Sequence, residues 1–224
     1  MNLQGKIIDF LGDSITEGVG VADCENNRYD HILLRECGLA ATYNYGIGGT
    51  RIAHQSVPSE KPRHDLCFCG RAYDLNRDAD IVVVYGGIND YIHGDAPFGT
   101  MGDKTPASFC GGVWFLMPLL RENFKDRTIV FMTPAHCCYG NVVDSKPSPD
   151  SRKRADAQPV IEYVKVIQET AKAFDVHVLD LYHTLGIDPN CETDRTQYTS
   201  DGLHFNDAGH QVLAACLKRF LESI

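Results

Sequence analysis

Residues 6–18 read KIIDFLGDSITEG, and the change of character within this stretch decides the fold. Lys6 to Leu11 is an apolar, β-branched run of strand length that stops at a glycine. A short run of that kind fits a strand covered on both faces. Comparable runs recur at Ala41 to Tyr45, Ile81 to Tyr85, Thr128 to Met132 and Val176 to Leu181. Stretches with helical spacing lie between them: Asn26 to Cys37, Arg63 to Arg77, Pro106 to Asn123, Ser151 to Phe174 and Asn206 to Leu221. Strands alternating with helices predict an α/β fold, a flavodoxin-like three-layer sandwich around a five-stranded parallel sheet of order 2-1-3-4-5. Ligands of such sheets bind outside the carboxyl ends of the strands, so a functional site should collect residues that come directly after strands. Ser14, just beyond the first strand, is such a residue.

The whole chain fits one domain over residues 1–224, because 224 residues that are 43% hydrophobic and 23% charged can bury one substantial core. A net charge of -9 disfavours nucleic acid or an anionic membrane surface as partner, since both are held by clustered Lys and Arg. The one dense basic run, Arg152 to Arg154, reads as the solvated start of a helix. No apolar run approaches the ~20 residues that span a bilayer. Nine cysteines, an odd number scattered through core segments and loops, fit reduced thiols better than a disulfide framework. The opening MNLQGK runs into IIDFLG without a charged leader and cleavage site, which leads us to expect a cytoplasmic protein. Two long polar connections, His93 to Thr105 and His136 to Asp150, are placed to shape access to a site.

Four segments carry chemistry. GDS places the Ser14 hydroxyl at the ligand edge, although Ser14 and Thr16 could equally cap a helix start. NYGIGGTR (44–51) comes after the second strand, and its glycines let backbone approach a ligand; Gly49 could aim its N–H at a developing oxyanion, with Asn44 tying down the turn. VVVYGGIND (82–90) ends in Asn89, whose amide offers a donor at the same edge; the alternative use of Asn89 and Asp90 is to satisfy turn backbone. SDGLHFNDAGH (200–210) holds Asp201 and His204 three residues apart, so a tight turn could set the carboxylate on one imidazole nitrogen. Asn206 is a natural N-cap for the last helix.

In this order the four segments resemble the SGNH, or GDSL-type, hydrolase family, across most of the chain. The resemblance implies a serine esterase needing no cofactor, with Ser14 as nucleophile, His204 as general base and Asp201 as its orienting carboxylate. It implies an oxyanion hole from Ser14, Gly49 and Asn89, and a small-molecule ester as partner; a homo-oligomer is compatible with it. Phe205 departs from the proline that family members often carry after the histidine. Asp13, Arg51, Tyr91 and His93 are candidates for contacting substrate. The polar loops suggest short acyl esters, acetyl esters first, of a small or carbohydrate alcohol, whereas Trp114, Phe115 and Leu116 would have to line any longer acyl pocket.

Other readings are a lysophospholipase- or thioesterase-type acyl hydrolase, an acyltransferase, and a non-catalytic flavodoxin-like binding module. The last is disfavoured by the lack of a phosphate-cradling glycine motif after the first strand. No metal is expected, because His64, Cys67 and Cys69, and likewise His136, Cys137 and Cys138, lack the paired spacing of zinc ligands.

Overall fold

The computed structural model describes residues 1–150, 152–153 and 156–224. Five parallel strands form the sheet in the order β2-β1-β3-β4-β7: β1 (Ile7–Gly12), β2 (Ala41–Gly46), β3 (Ile81–Tyr85), β4 (Thr128–Met132) and β7 (His177–Leu179). This is the strand order expected of the sequence, with the winding direction reversing at the connection from β2 to β3, which lie on opposite sides of β1. Central β3 shows why the runs are continuously apolar. Val82 and Val84 join the cluster under one helical layer, while Ile81, Val83 and Tyr85 join the cluster under the other. With both faces covered, no position of the strand is left for a solvated side chain.

One layer holds α4 (Phe68–Arg71), α6 (Phe109–Asn123) and α7 (Val160–Phe174); the other holds α3 (Tyr29–Glu36) and α10 (Asp207–Ser223). Helix α6 buries Phe109, Val113, Leu116, Met117 and Leu120, a three-and-four spacing that lines one face, and starts at Ser108, whose hydroxyl accepts from Gly111 N–H at 3.1 Å. Helix α10 starts at Asn206, whose side chain accepts from Gly209 N–H. Phe205 is buried and meets the His210 ring edge-on at 6.3 Å, so this position is a core contact.

Several predicted helices are shorter or broken. The 26–37 stretch divides at Arg28, which is extended and pairs with Asp30, giving α2 (Cys24–Asn27) and α3. The 63–77 stretch becomes a 3₁₀ turn, Pro62–Asp65, and the single turn α4. Helix α7 starts at Val160 rather than at residue 151, because Pro159 sits in extended conformation as its cap and disfavours helix in the residue before it. Ser151 and Arg154 lie outside the described residues. Lys153, however, is no solvated helix start: its ammonium donates to the carbonyls of Asp90 and His93. The helix start weighed at Ser14 is the single turn α1 (Ser14–Glu17); elements not foreseen are α5 (Ile88–Ile92), α8 (Leu181–Thr184), α9 (Glu192–Tyr198) and the antiparallel hairpin of β5 (Cys138–Tyr139) and β6 (Val142–Val143). All nine cysteines are free thiols, and among the described residues no helix is long and apolar enough to cross a membrane.

Candidate active site

The chain leaves β1 at Gly12 and enters α1 at once. The turn is tight enough that a Cβ on Gly12 would lie 2.0 Å from the Thr16 hydroxyl. Asp13 is the N-cap: its carboxylate accepts from Ile15 N–H at 3.0 Å, and it is almost wholly buried. That burial raises Asp13 to about 6, and the same burial removes it as a substrate-contacting residue. Neither neighbouring hydroxyl caps the helix. Thr16 Oγ1 pairs with Tyr29 Oη at 3.0 Å, while Ser14 Oγ lies 2.9 Å from His204 Nε2. As the first helical residue, Ser14 has an N–H without an intrahelical acceptor.

His204 is carried by the turn between α9 and α10. Asp201 Oδ1 accepts from the Leu203 and His204 N–H groups at 3.0 and 2.8 Å, winding the turn, and its Oδ2 lies 2.7 Å from His204 Nδ1. Burial works against ionising Asp201, but the hydrogen bonds from His204 outweigh it and hold the carboxyl below its usual range. Gly202, at φ +88°, closes this turn against the hairpin: its carbonyl accepts from Cys138 N–H at 2.9 Å. Tyr139 from the hairpin stands edge-on to the His204 ring at 6.2 Å.

Facing Ser14 is the loop after β2. Asn44 does secure this turn: its Oδ1 accepts from Gly46 N–H, and its Nδ2 donates to Thr16 C=O and Asp30. Gly48 N–H is committed to Glu17 at 2.7 Å. Of the three glycines, then, Gly46 and Gly48 have their amides occupied. Gly49 adopts φ +77°, and a Cβ there would sit 2.5 Å from the His64 ring, a close approach only glycine allows.

Asn89 sits on α5 after β3. Its Nδ2 donates to Thr50 C=O at 3.0 Å, which spends one of two hydrogens, and its Oδ1 lies 3.0 Å from His93 Nε2. Asp90 takes the backbone role: it is buried and accepts from Ile52 and Ala53 N–H at 2.9 and 2.8 Å, locking the glycine loop to α5. Tyr91 is fully buried, and its hydroxyl bonds the Val143 and Lys146 carbonyls. It supports the 136–150 connection from below and offers no surface to a substrate, which corrects the expectation for it. Arg51 and His93 do line a cleft of about 650 Å³, together with Gln55, Lys61, His64 and Arg152. A neighbouring depression, sharing Ile92 and Asp150, is lined by Tyr139 and Val142 of the hairpin. The two long loops therefore border the cleft as expected. No site role was expected for Glu17, although it lies in the GDSITEG segment, and His64 was weighed only as a metal ligand; their places beside Gly48 and Gly49 come from long-range packing. Among the described residues no cluster of His, Cys, Asp or Glu could hold a metal ion, and His136 is bonded to Asp144 at 2.6 Å.

The chain matches the GDSL-like Lipase/Acylhydrolase family over residues 10–212, and it belongs to that family of hydrolases. Among solved structures, a protein from Lactobacillus plantarum is 28% identical and superposes with a TM-score of 0.82, covering 98% of each chain. A second crystal structure, 27% identical, reaches 0.86 over 100% of this chain and 99% of its own. A two-domain esterase active on acetylated mannans shares the fold at 20% identity and TM-score 0.61, covering 97% of this chain and 49% of its own. No curated protein matches the chain in sequence.

Proposed function

We propose that the protein is a serine esterase acting on short acyl esters of a polyhydroxylated alcohol. The observation that carries this reading is the unbroken chain from Ser14 Oγ through the His204 ring to Asp201, with contacts of 2.9 and 2.7 Å. A neutral serine is a poor nucleophile, and an imidazole held between it and a carboxylate is the arrangement that activates it. His204 Nε2 takes the Ser14 proton as Oγ bonds the ester carbon. The oxyanion that forms is received by the Ser14 and Gly49 N–H groups and the second hydrogen of Asn89 Nδ2. Collapse breaks the bond to the alcohol, which leaves with the proton from His204. Water then attacks the acyl-serine by the same route and releases the carboxylate. Each oxyanion donor is worth ~3–4 kcal/mol in the transition state.

The substrate class rests on the cleft. Its lining includes Arg51, Gln55, Lys61, His64 and Arg152, whose polar groups can hydrogen-bond the hydroxyls of an alcohol, and its apolar members, Val57, Pro58 and Ile92, make no continuous aliphatic stripe. The core helix provides no hidden acyl pocket through the residues that could have formed one: Trp114 packs between Phe174 and the Lys104 ammonium, and Leu116 is in the core. The fold neighbour active on acetylated mannans is an esterase of comparable substrate chemistry. Hydrolysis of aryl acetate, butyrate and octanoate by wild type and Ser14→Ala tests both parts. We expect kcat/KM to be highest for acetate and activity to vanish in the variant. A constant rising to octanoate by the ~0.8 kcal/mol per methylene of a matching pocket would contradict the substrate class.

A further inference from the structure

We infer that Arg51 and His93 form a positioning relay that fixes which end of the Asn89 side-chain amide faces the oxyanion. The inference rests on the oxyanion role proposed for Asn89. Its basis is the direction of two hydrogen bonds. Arg51 Nη1 lies 2.8 Å from His93 Nδ1, and His93 Nε2 lies 3.0 Å from Asn89 Oδ1. A guanidinium has only donors, so Nδ1 must be the bare nitrogen of the ring. Nε2 then carries the hydrogen and donates, and the Asn89 atom it meets must be the oxygen. The amide nitrogen is left facing the other way, with one hydrogen on Thr50 C=O and one for the substrate.

The relay is held firmly at its far end. Arg51 is 2% exposed, a burial that disfavours its charge, and its Nη2 donates to Ser59 Oγ, His64 C=O and Asp65 Oδ1 at 3.2, 3.0 and 3.1 Å. The guanidinium therefore has one orientation. Gly94, at φ +92°, lets the chain pass where a Cβ would lie 2.9 Å from Arg51 Cδ. Burial first, and Arg51 second, drive His93 down to about 3, so its ring stays neutral through the working range and the sense of the relay does not change. A buried cation polarising a neutral ring, and that ring polarising an amide, strengthens each bond in the series and makes the Asn89 N–H the better donor.

Arg51 is too deeply built in to be the first target, so the test is made at His93. Glutamine can copy both contacts, accepting from Arg51 through Oε1 and donating to Asn89 through Nε2; leucine can copy neither. On aryl acetate, His93→Leu should lose about 10- to 100-fold in kcat with little change in KM, less than the 10²–10³ of deleting a donor outright. His93→Gln should restore activity to within about threefold of wild type. Asn89→Ala should lose 10²–10³-fold, and adding His93→Leu to it should cost no more than about twofold further, because the relay then has nothing to orient. Wild-type turnover by His93→Leu, failure of glutamine to restore it, or an equal loss in the Asn89→Ala background would each overturn the relay while leaving the oxyanion assignment intact. A fully active Asn89→Ala would overturn that assignment, and the relay with it.

Discussion

Replacing Asp201 by asparagine alters one atom, yet the geometry of the turn makes that one atom decisive. Oδ1 is fixed by two backbone donors at 3.0 and 2.8 Å, and Oδ2 receives the His204 ring at 2.7 Å. An asparagine has one oxygen to serve both sides. If the oxygen stays on the backbone donors, its NH2 group faces Nδ1, which must then accept, so the hydrogen moves to Nε2. That tautomer points a hydrogen at Ser14 Oγ and cannot take its proton. If the amide flips, two backbone N–H groups face an NH2 group and lose their acceptor, at ~1–3 kcal/mol each. The Asp201 side chain is 35% exposed, so water offsets part of that cost, and about 3–4 kcal/mol remains against the competent form. At 1.36 kcal/mol per tenfold, kcat should fall about 10²–10³-fold. Single-turnover acylation by an aryl acetate measures this directly, with circular dichroism to show an unchanged fold. A variant within about threefold of wild type would refute the tautomer argument.

Two other substitutions probe the oxyanion glycine and the buried end of the sheet. Gly49→Ala places a Cβ against the His64 ring and a side chain at φ +77°, so we expect a loss of ~1–2 kcal/mol, or about 2–8 °C in Tm, and a larger fall in kcat as the donor shifts; normal kinetics would show that Gly49 N–H is not used. Asp9 is fully buried on β1, with one oxygen bonded by Asn76 N–H and the other unpartnered among the described residues, and burial raises it to about 7. Between about pH 4 and 7 the folded chain keeps a proton that the unfolded chain has lost, so stability is full below that window and falls as pH rises through it. Asp9→Asn should therefore gain up to ~4 kcal/mol relative to wild type at pH 8 over its difference at pH 4, and a pH-independent difference in denaturant midpoints would contradict this.

The centre of the sheet was readable because β1, β3 and β4 are buried on both faces, which leaves largely apolar runs such as IVVVY at 81–85. The helices were read less well where burial and turn chemistry compete over a few residues: Arg28 breaks one, and Pro159 delays another. The hairpin had a local signal, since Gly140 and Asn141 make a two-residue turn between Tyr139 and Val142. Strands of two residues gave it too little periodicity to notice. At the site, Ser14, Asp201 and His204 sit in motifs that come after strands or precede a helix, and the fold brings them together. The features that remained hidden depend on long-range packing: the burial of Tyr91, the approach of His64 to Gly49, and the order in which Arg51, His93 and Asn89 connect. Arg51 and His93 both line the cleft, but no spacing in sequence says that an arginine 42 positions away will set a histidine's tautomer.

The central claim is that Ser14 forms the covalent bond with substrate. Treating the protein with an aryl or alkyl fluorophosphonate and measuring intact mass tests it without any choice of natural ester. The account predicts a single adduct that maps to Ser14, forms at a rate sharply reduced in His204→Ala, and is absent from Ser14→Ala along with esterase activity. An unmodified Ser14 in a preparation that hydrolyses aryl acetate, or an adduct on another residue that abolishes turnover, would contradict it.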